Sequence, residues 1–155
     1  MSARLHTREE SGITLDRELR WFHDGQPIEH PRIIEAFNQG LRIGDDGRYT
    51  LVIGADWCVV KVADAGFAVL AVDVQDDGSL AVRLSDRTGE RLDEASLVLE
   101  SDGVLTARVK QGRAKARFTR DAQFSLGELL SDGPQGLTLT AGGRSRPVAI
   151  AGWHG

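Results

Sequence analysis

Cysteine is almost missing from this chain: Cys58 is the only one in 155 residues, so no disulfide can close within it. Its neighbours Trp57, Val59 and Val60 are apolar, and Cys58 is expected to be a small buried hydrophobe, inert to thiol reagents. Long apolar runs are missing too. The longest, Gly66 to Val72, stops at Asp73, well short of the roughly 20 residues that a membrane-spanning helix needs. The first twelve residues are polar and contain no apolar signal core. These absences predict a cytoplasmic protein with no membrane span. An excess of positive charge is also absent: the net charge is −4, which argues against general nucleic-acid binding by the whole chain. Catalytic signatures are lacking. There is no G-x-S-x-G, no P-loop and no G-x-G-x-x-G that opens a helix after a strand. His6, His23, His30 and His154 show no metal-like spacing along the chain. No catalytic residue, metal or cofactor is therefore expected.

What remains is the composition of a folded domain, with 41% apolar and 27% charged residues. A chain of this length buries roughly two-thirds of its unfolded surface, enough for one domain or two very small ones sharing a core. Residues 1–12 read as a frayed tail. Asp24-Gly25, between Trp21-Phe22-His23 and Gln26-Pro27-Ile28, predicts a hairpin turn. Pro31, followed by Ile33, Ile34, Phe37 and Leu41 at helical spacing, predicts a first helix. From residue 48 the pattern is that of strands: 48–53, 57–62, 67–74, 80–84, 96–100, 104–110 and 113–119, punctuated by Asp-Gly and similar turns. The carboxylate pairs Asp45-Asp46 and Asp76-Asp77 are explained by those turns. A second helix is predicted over 121–130, with Phe124, Leu126, Leu129 and Leu130 as its apolar positions and Asp121 as its N-cap or first-turn acid. Two closing strands follow, at 137–139 and 146–150. The expected class is α+β, two helices against largely antiparallel sheet. Trp21, Trp57 and Phe67 are expected in the core, and Trp153 in a tail.

Two segments echo each other. Asp46-Gly47-Arg48-Tyr49-Thr50 leads on to Asp64-Ala65-Gly66-Phe67, and Asp102-Gly103-Val104-Leu105-Thr106 leads on to Asp121-Ala122-Gln123-Phe124. An internal duplication would give two half-domains, residues 13–77 and 78–150, with a tail at 151–155 and a groove between the halves as a natural small-molecule site.

Three stretches resemble family 1285 of the bacterial domains of unknown function: Trp21-Phe22-His23-x-Gly25-x-Pro27-Ile28-x-His30-Pro31, Asp64-Ala65-x-Phe67, and Ala116-Arg117-Phe118-Thr119-Arg120-x-Ala122. The resemblance spans roughly residues 13 to 150. It implies a duplicated two-domain core, a C-terminal half similar to pleckstrin-homology folds, a site for a nucleotide-like ligand at the domain interface and a role in signalling. His30 departs from the family pattern, which has arginine there, and Gly66 stands where proline is usual.

The stretch 104–120 holds Arg108, Lys110, Arg113, Lys115, Arg117 and Arg120 and no acid. A two-residue turn at Gln111-Gly112 would set Lys110 opposite Arg113, Arg108 opposite Lys115 and Thr106 opposite Arg117. Alternation along the strands then puts five cations on one face and Leu105, Ala107, Val109, Ala114, Ala116 and Phe118 on the other. Like charges facing each other across a sheet cost a few tenths of a kcal/mol or so per pair. An anionic ligand, acids of the same chain such as Asp93, Glu94 or Glu100, or solvent alone would offset that cost. The leading reading is a non-enzymatic module for a small anionic or nucleotide-like ligand. Arg117, Arg120, Lys110 and Arg108 would supply charge, Trp57 a stacking face, and His30 a donor at a helix start unless it serves as a cap. A protein-interaction module that offers its basic face to an acidic partner is the alternative. An unrecognised enzyme comes third.

Overall fold

The computed structural model describes residues 6–152; Trp153 and His154 fall outside them. The fold is α+β, with two helices and mostly antiparallel sheet. The chain divides into two compact units between Gly66 and Phe67.

In the first unit, β1 (Ile13–Leu15), β2 (Trp21–His23) and β3 (Gln26–Pro27) form a meander. The hairpin closes at Asp24-Gly25, both at positive φ, with His23 facing Gln26. Helix α1 (Pro31–Gly40) follows, and then β4 (Leu41–Ile43), β5 (Tyr49–Ile53) and β6 (Asp56–Val62). The sheet order is β3-β2-β1-β6-β5-β4, with β1 and β6 parallel. Pro31 starts α1 as its position predicts. Leu41 does not continue the helix. It turns to extended backbone and pairs with Leu51, because the buried β4–β5 ladder competes with another helical turn. Trp21, only 2% exposed, anchors the core. Its indole N–H donates to Asn38 Oδ1 at 2.8 Å, and its ring meets Phe37 edge-on.

Residues 6–12 are not a loose tail. Val59 N–H donates to the Arg8 carbonyl, the Ser11 hydroxyl donates to the Val59 carbonyl, and Arg8 pairs with Asp56. Polar tethers of this kind leave no apolar period, so the sequence pattern carried no sign of them.

The second unit starts with β7 (Phe67–Val74), β8 (Leu80–Leu84) and β9 (Gly89–Arg91). A 3-10 turn (Glu94–Ser96) leads to β10 (Val98–Leu99), β11 (Leu105–Val109) and β12 (Ala114–Phe118). Helix α2 (Arg120–Gly127) precedes β13 (Leu130–Gly133), β14 (Gly136–Ala141), β15 (Arg144–Pro147) and β16 (Ala149–Ile150). The large sheet runs β16-β10-β11-β12-β7-β8-β9, and β13-β14-β15 form a separate meander. Since β7 pairs with both β8 and β12, residues 67–77 belong to the second unit, so the division falls before Phe67 and not after residue 77. Thr119, one of the two residues just before the predicted helix, caps α2 by accepting the Ala122 N–H; Asp121 is its first-turn acid.

The two larger sheets share one plan. Each has a three-strand meander, a helical connection and a second three-strand meander whose last strand lies parallel to the first strand of the unit. Asp46-Gly47 joins β4 to β5, and Asp102-Gly103 joins β10 to β11, at the same place in each plan. The echo then diverges. Phe67 is fully buried at the start of a strand, whereas Phe124 lies on a helix and is 75% exposed.

Candidate functional site

The β11–β12 hairpin keeps the expected register over its strands: Thr106 faces Arg117, Ala107 faces Ala116, Arg108 faces Lys115 and Val109 faces Ala114. The apolar face is buried throughout, which fixes that register, since a slip of one residue would carry cations into the core. The turn changes the picture at Lys110. Lys110, Gln111 and Gly112 all have positive φ, so Lys110 leaves the ladder and its side chain leaves the cationic face. Its ammonium lies 2.6 Å from Asp86 Oδ2, 2.8 Å from Thr88 Oγ1 and 5.0 Å from the centre of the Phe67 ring. Phe67 pairs with Ala116 of the apolar face, so Lys110 closes the edge of the core. Two of the remaining cations of the face, Lys115 and Arg117, meet acids of the same unit, and Arg113 Nε donates to the Lys110 carbonyl. Lys115 lies 3.5 Å from Glu100, which also accepts from the buried Thr106 hydroxyl. Arg117 Nη1 donates to Asp102 Oδ2 at 2.8 Å. Arg108 is exposed.

Burial pushes the Asp86 carboxyl up, but the Lys110 ammonium and the Thr88 hydroxyl and N–H outweigh it, and Asp86 sits below the usual carboxylate range. Asp102 is lowered by its Arg117 partner and by the Val104 N–H.

Arg117 and Arg120 come together at a groove of about 840 Å3, lined entirely by residues of the second unit. This volume falls within the usual range of roughly 300–1,000 Å3 for ligand clefts. Leu99, Leu105, Phe118, Leu130 and Leu137 give it apolar walls, and α2 forms one side. Gln123 ties α2 to the strands: its amide nitrogen donates to the Gly103 carbonyl, and its oxygen accepts the Leu105 N–H, both at 2.9 Å. Arg120 and Phe124 stand one helical turn apart on α2 and both line the groove.

The other predicted site residues lie in the first unit. His30 is the N-cap of α1, its Nδ1 accepting the Arg32 N–H, which is the capping role. Trp57 is 40% exposed and so is not a core residue; the Arg8 guanidinium lies 5.2 Å from its ring centre. Cys58 is half-buried and not fully enclosed, because β6 presents its face there to partial solvent. Sequence spacing missed one cluster in this unit, His6, His23 and Asp24. Its members come from the N-terminal segment and the β2–β3 turn, and only the fold brings them together.

No family model matches this chain, and neither does any curated protein. Two solved structures are similar. A DUF1285 family protein from Silicibacter pomeroyi DSS-3 matches 90% of this chain and 80% of its own length, with a TM-score of 0.64 and 21% identity. A DUF1285 family protein from Shewanella baltica OS155 matches 76% of this chain and 91% of its own, with a TM-score of 0.54 and 19% identity. The chain thus shares its fold with proteins of the family that the sequence motifs resemble.

Proposed function

We propose that this protein is a ligand-binding module of the cytoplasm with a role in signalling, and that the groove beside α2 takes a small amphipathic anion such as a nucleotide-like molecule. The phosphate or carboxylate group meets Arg117 and Arg120, and the apolar or aromatic body lies along Phe118, Leu137 and Phe124. The observation that carries this reading is the pair of arginines at an otherwise largely apolar groove; arginine forks suit phosphate and carboxylate groups. The shared plan of the two large sheets supports the duplicated origin that the family resemblance implies, and the ligand is assigned to the second copy. Trp57 and His30 are not part of this site.

Thermal shift measurements across nucleotides and polyphosphate at low salt test the proposal. A ligand held at 100 times its dissociation constant is expected to stabilise the fold by about 2.7 kcal/mol. Phosphate is expected to stabilise more than chloride at equal ionic strength. Arg117→Ala is expected to remove the shift while the protein still folds. Asp102→Asn is expected to enlarge it, because Asp102 competes with the ligand for Arg117. No shift with any anion, or a full shift in Arg117→Ala, would overturn the reading.

The exposed Phe124 favours a second reading, in which Phe124 and Arg120 on α2 meet an acidic, partly apolar protein segment. In that case Phe124→Ser weakens partner binding and leaves small anions without effect.

A further inference from the structure

We propose that His6, His23 and Asp24 form a binding site for a divalent transition-metal ion of the zinc class. One ligand atom from each of the three lies within 4.8 Å of the other two. His6 Nε2 is 2.9 Å from the Asp24 carboxylate, His23 Nε2 is 3.8 Å from Asp24 Oδ2, and the two imidazole rings are centred 4.9 Å apart. A tetrahedral zinc ion with bonds near 2.0–2.1 Å needs ligand atoms about 3.3–3.4 Å apart. The His–Asp separations lie on either side of that value, and the ligand atoms of His6 and His23 lie within 4.8 Å of each other, so the three need to close by about an ångström to meet one ion. Two imidazoles and one carboxylate suit zinc, cobalt or iron(II) and do not suit magnesium, which prefers oxygen donors.

The backbone holds these groups together. Asp24 sits at positive φ in the β2–β3 turn, and its N–H donates to the Gly12 carbonyl. The segment after His6 is tied to β6 through Arg8 and Ser11. Gly12 is at positive φ, and a Cβ there would stand 2.2 Å from Asp24 Oδ1 and 3.0 Å from His6 Nε2. Gly12 therefore leaves room for the cluster as well as for the turn of the chain. His6 and Asp24 line a cavity of about 340 Å3 that also holds Glu9, Glu10 and Lys61. Three protein ligands leave a fourth position, which a water molecule or a small donor would fill. Without metal, His6 Nε2 carries the proton shared with Asp24. That proton must leave, or return on Nδ1, before the nitrogen lone pair can reach a metal ion.

Titration of the whole protein with Co2+, followed by visible absorption, tests the site. One equivalent is expected to give a saturable four-coordinate signal that Zn2+ displaces and Mg2+ does not. His6→Gln, His23→Gln and Asp24→Asn are each expected to abolish the signal at concentrations that saturate the parent, with an unchanged circular dichroism spectrum. Absence of a saturable signal, or its survival in the His6→Gln, His23→Gln double variant, would overturn the proposal and leave His6–Asp24 as a surface ion pair. The site is independent of the groove beside α2, so neither outcome bears on that reading.

Discussion

At Lys110, one backbone angle decides the fate of a side chain. Alternation alone assigns it to the cationic face, but φ of +56° turns it onto Asp86 at the rim of the core. Asp86 is buried and Lys110 largely so, so removing the ammonium strands a carboxylate. Lys110→Met is expected to cost about 2–3 kcal/mol in chemical denaturation. The pH dependence follows from the lowered acid. The folded pKa of Asp86 lies below its unfolded value of about 3.9. Its contribution is therefore complete above the unfolded value and is lost as pH falls through the folded one. The stability gap between the parent protein and Asp86→Asn is expected to narrow below about pH 4. A gap that stays constant down to pH 2 would show that the pair does not act this way. At Asn38, the only asparagine in the chain, the side chain satisfies a buried indole N–H. Asn38→Ala is expected to cost about 1–2 kcal/mol, measured by urea unfolding.

Elements were legible wherever a local rule governed them. Pro31 marks the start of α1, Asp24-Gly25 closes a hairpin, and Gln111-Gly112 sets the β11–β12 register. Short elements were not legible. β9 and β13 carry no alternating apolar pattern, and their burial is partial, so they owe their place to pairing with longer neighbours. Phe124 falls on the apolar stripe of α2 that the sequence pattern marks, yet it is exposed, because that stripe borders a groove as well as packed strands. Gln111 occupies a left-handed position that suits glycine or asparagine better. Gln111→Asn is therefore expected to stabilise the protein by a few tenths to about 1 kcal/mol. A loss of stability in thermal melts would mean that the Gln111 side chain contributes more than its backbone costs.

For the whole molecule, the α+β class and most strands follow from hydrophobic period and turn chemistry. The candidate site was legible only in part. Arg117 and Arg120 stood out as cations in an acid-free stretch, and both line the groove. Much of their apolar surroundings comes from β10, β13 and β14, elements outside the hairpin and α2 that no local pattern connects to them. Acids from turns outside the hairpin meet Lys110, Lys115 and Arg117. Glu100 is among the acids that the sequence suggests, whereas Asp86 and Asp102 are not, because spacing along the chain does not show which turns the fold sets beside the hairpin. The same holds for His6, His23 and Asp24. No helix among the described residues is long and apolar enough to cross a membrane.

The central claim concerns the groove, and amide chemical shifts during titration with a nucleotide test it most directly. The account predicts saturable shifts confined to Leu105, Arg117, Arg120, Gln123 and Phe124 and their neighbours, including the Gln123 side-chain amide, and their loss in Arg117→Ala. Saturable shifts centred elsewhere, or none with any anion at low salt, would contradict it.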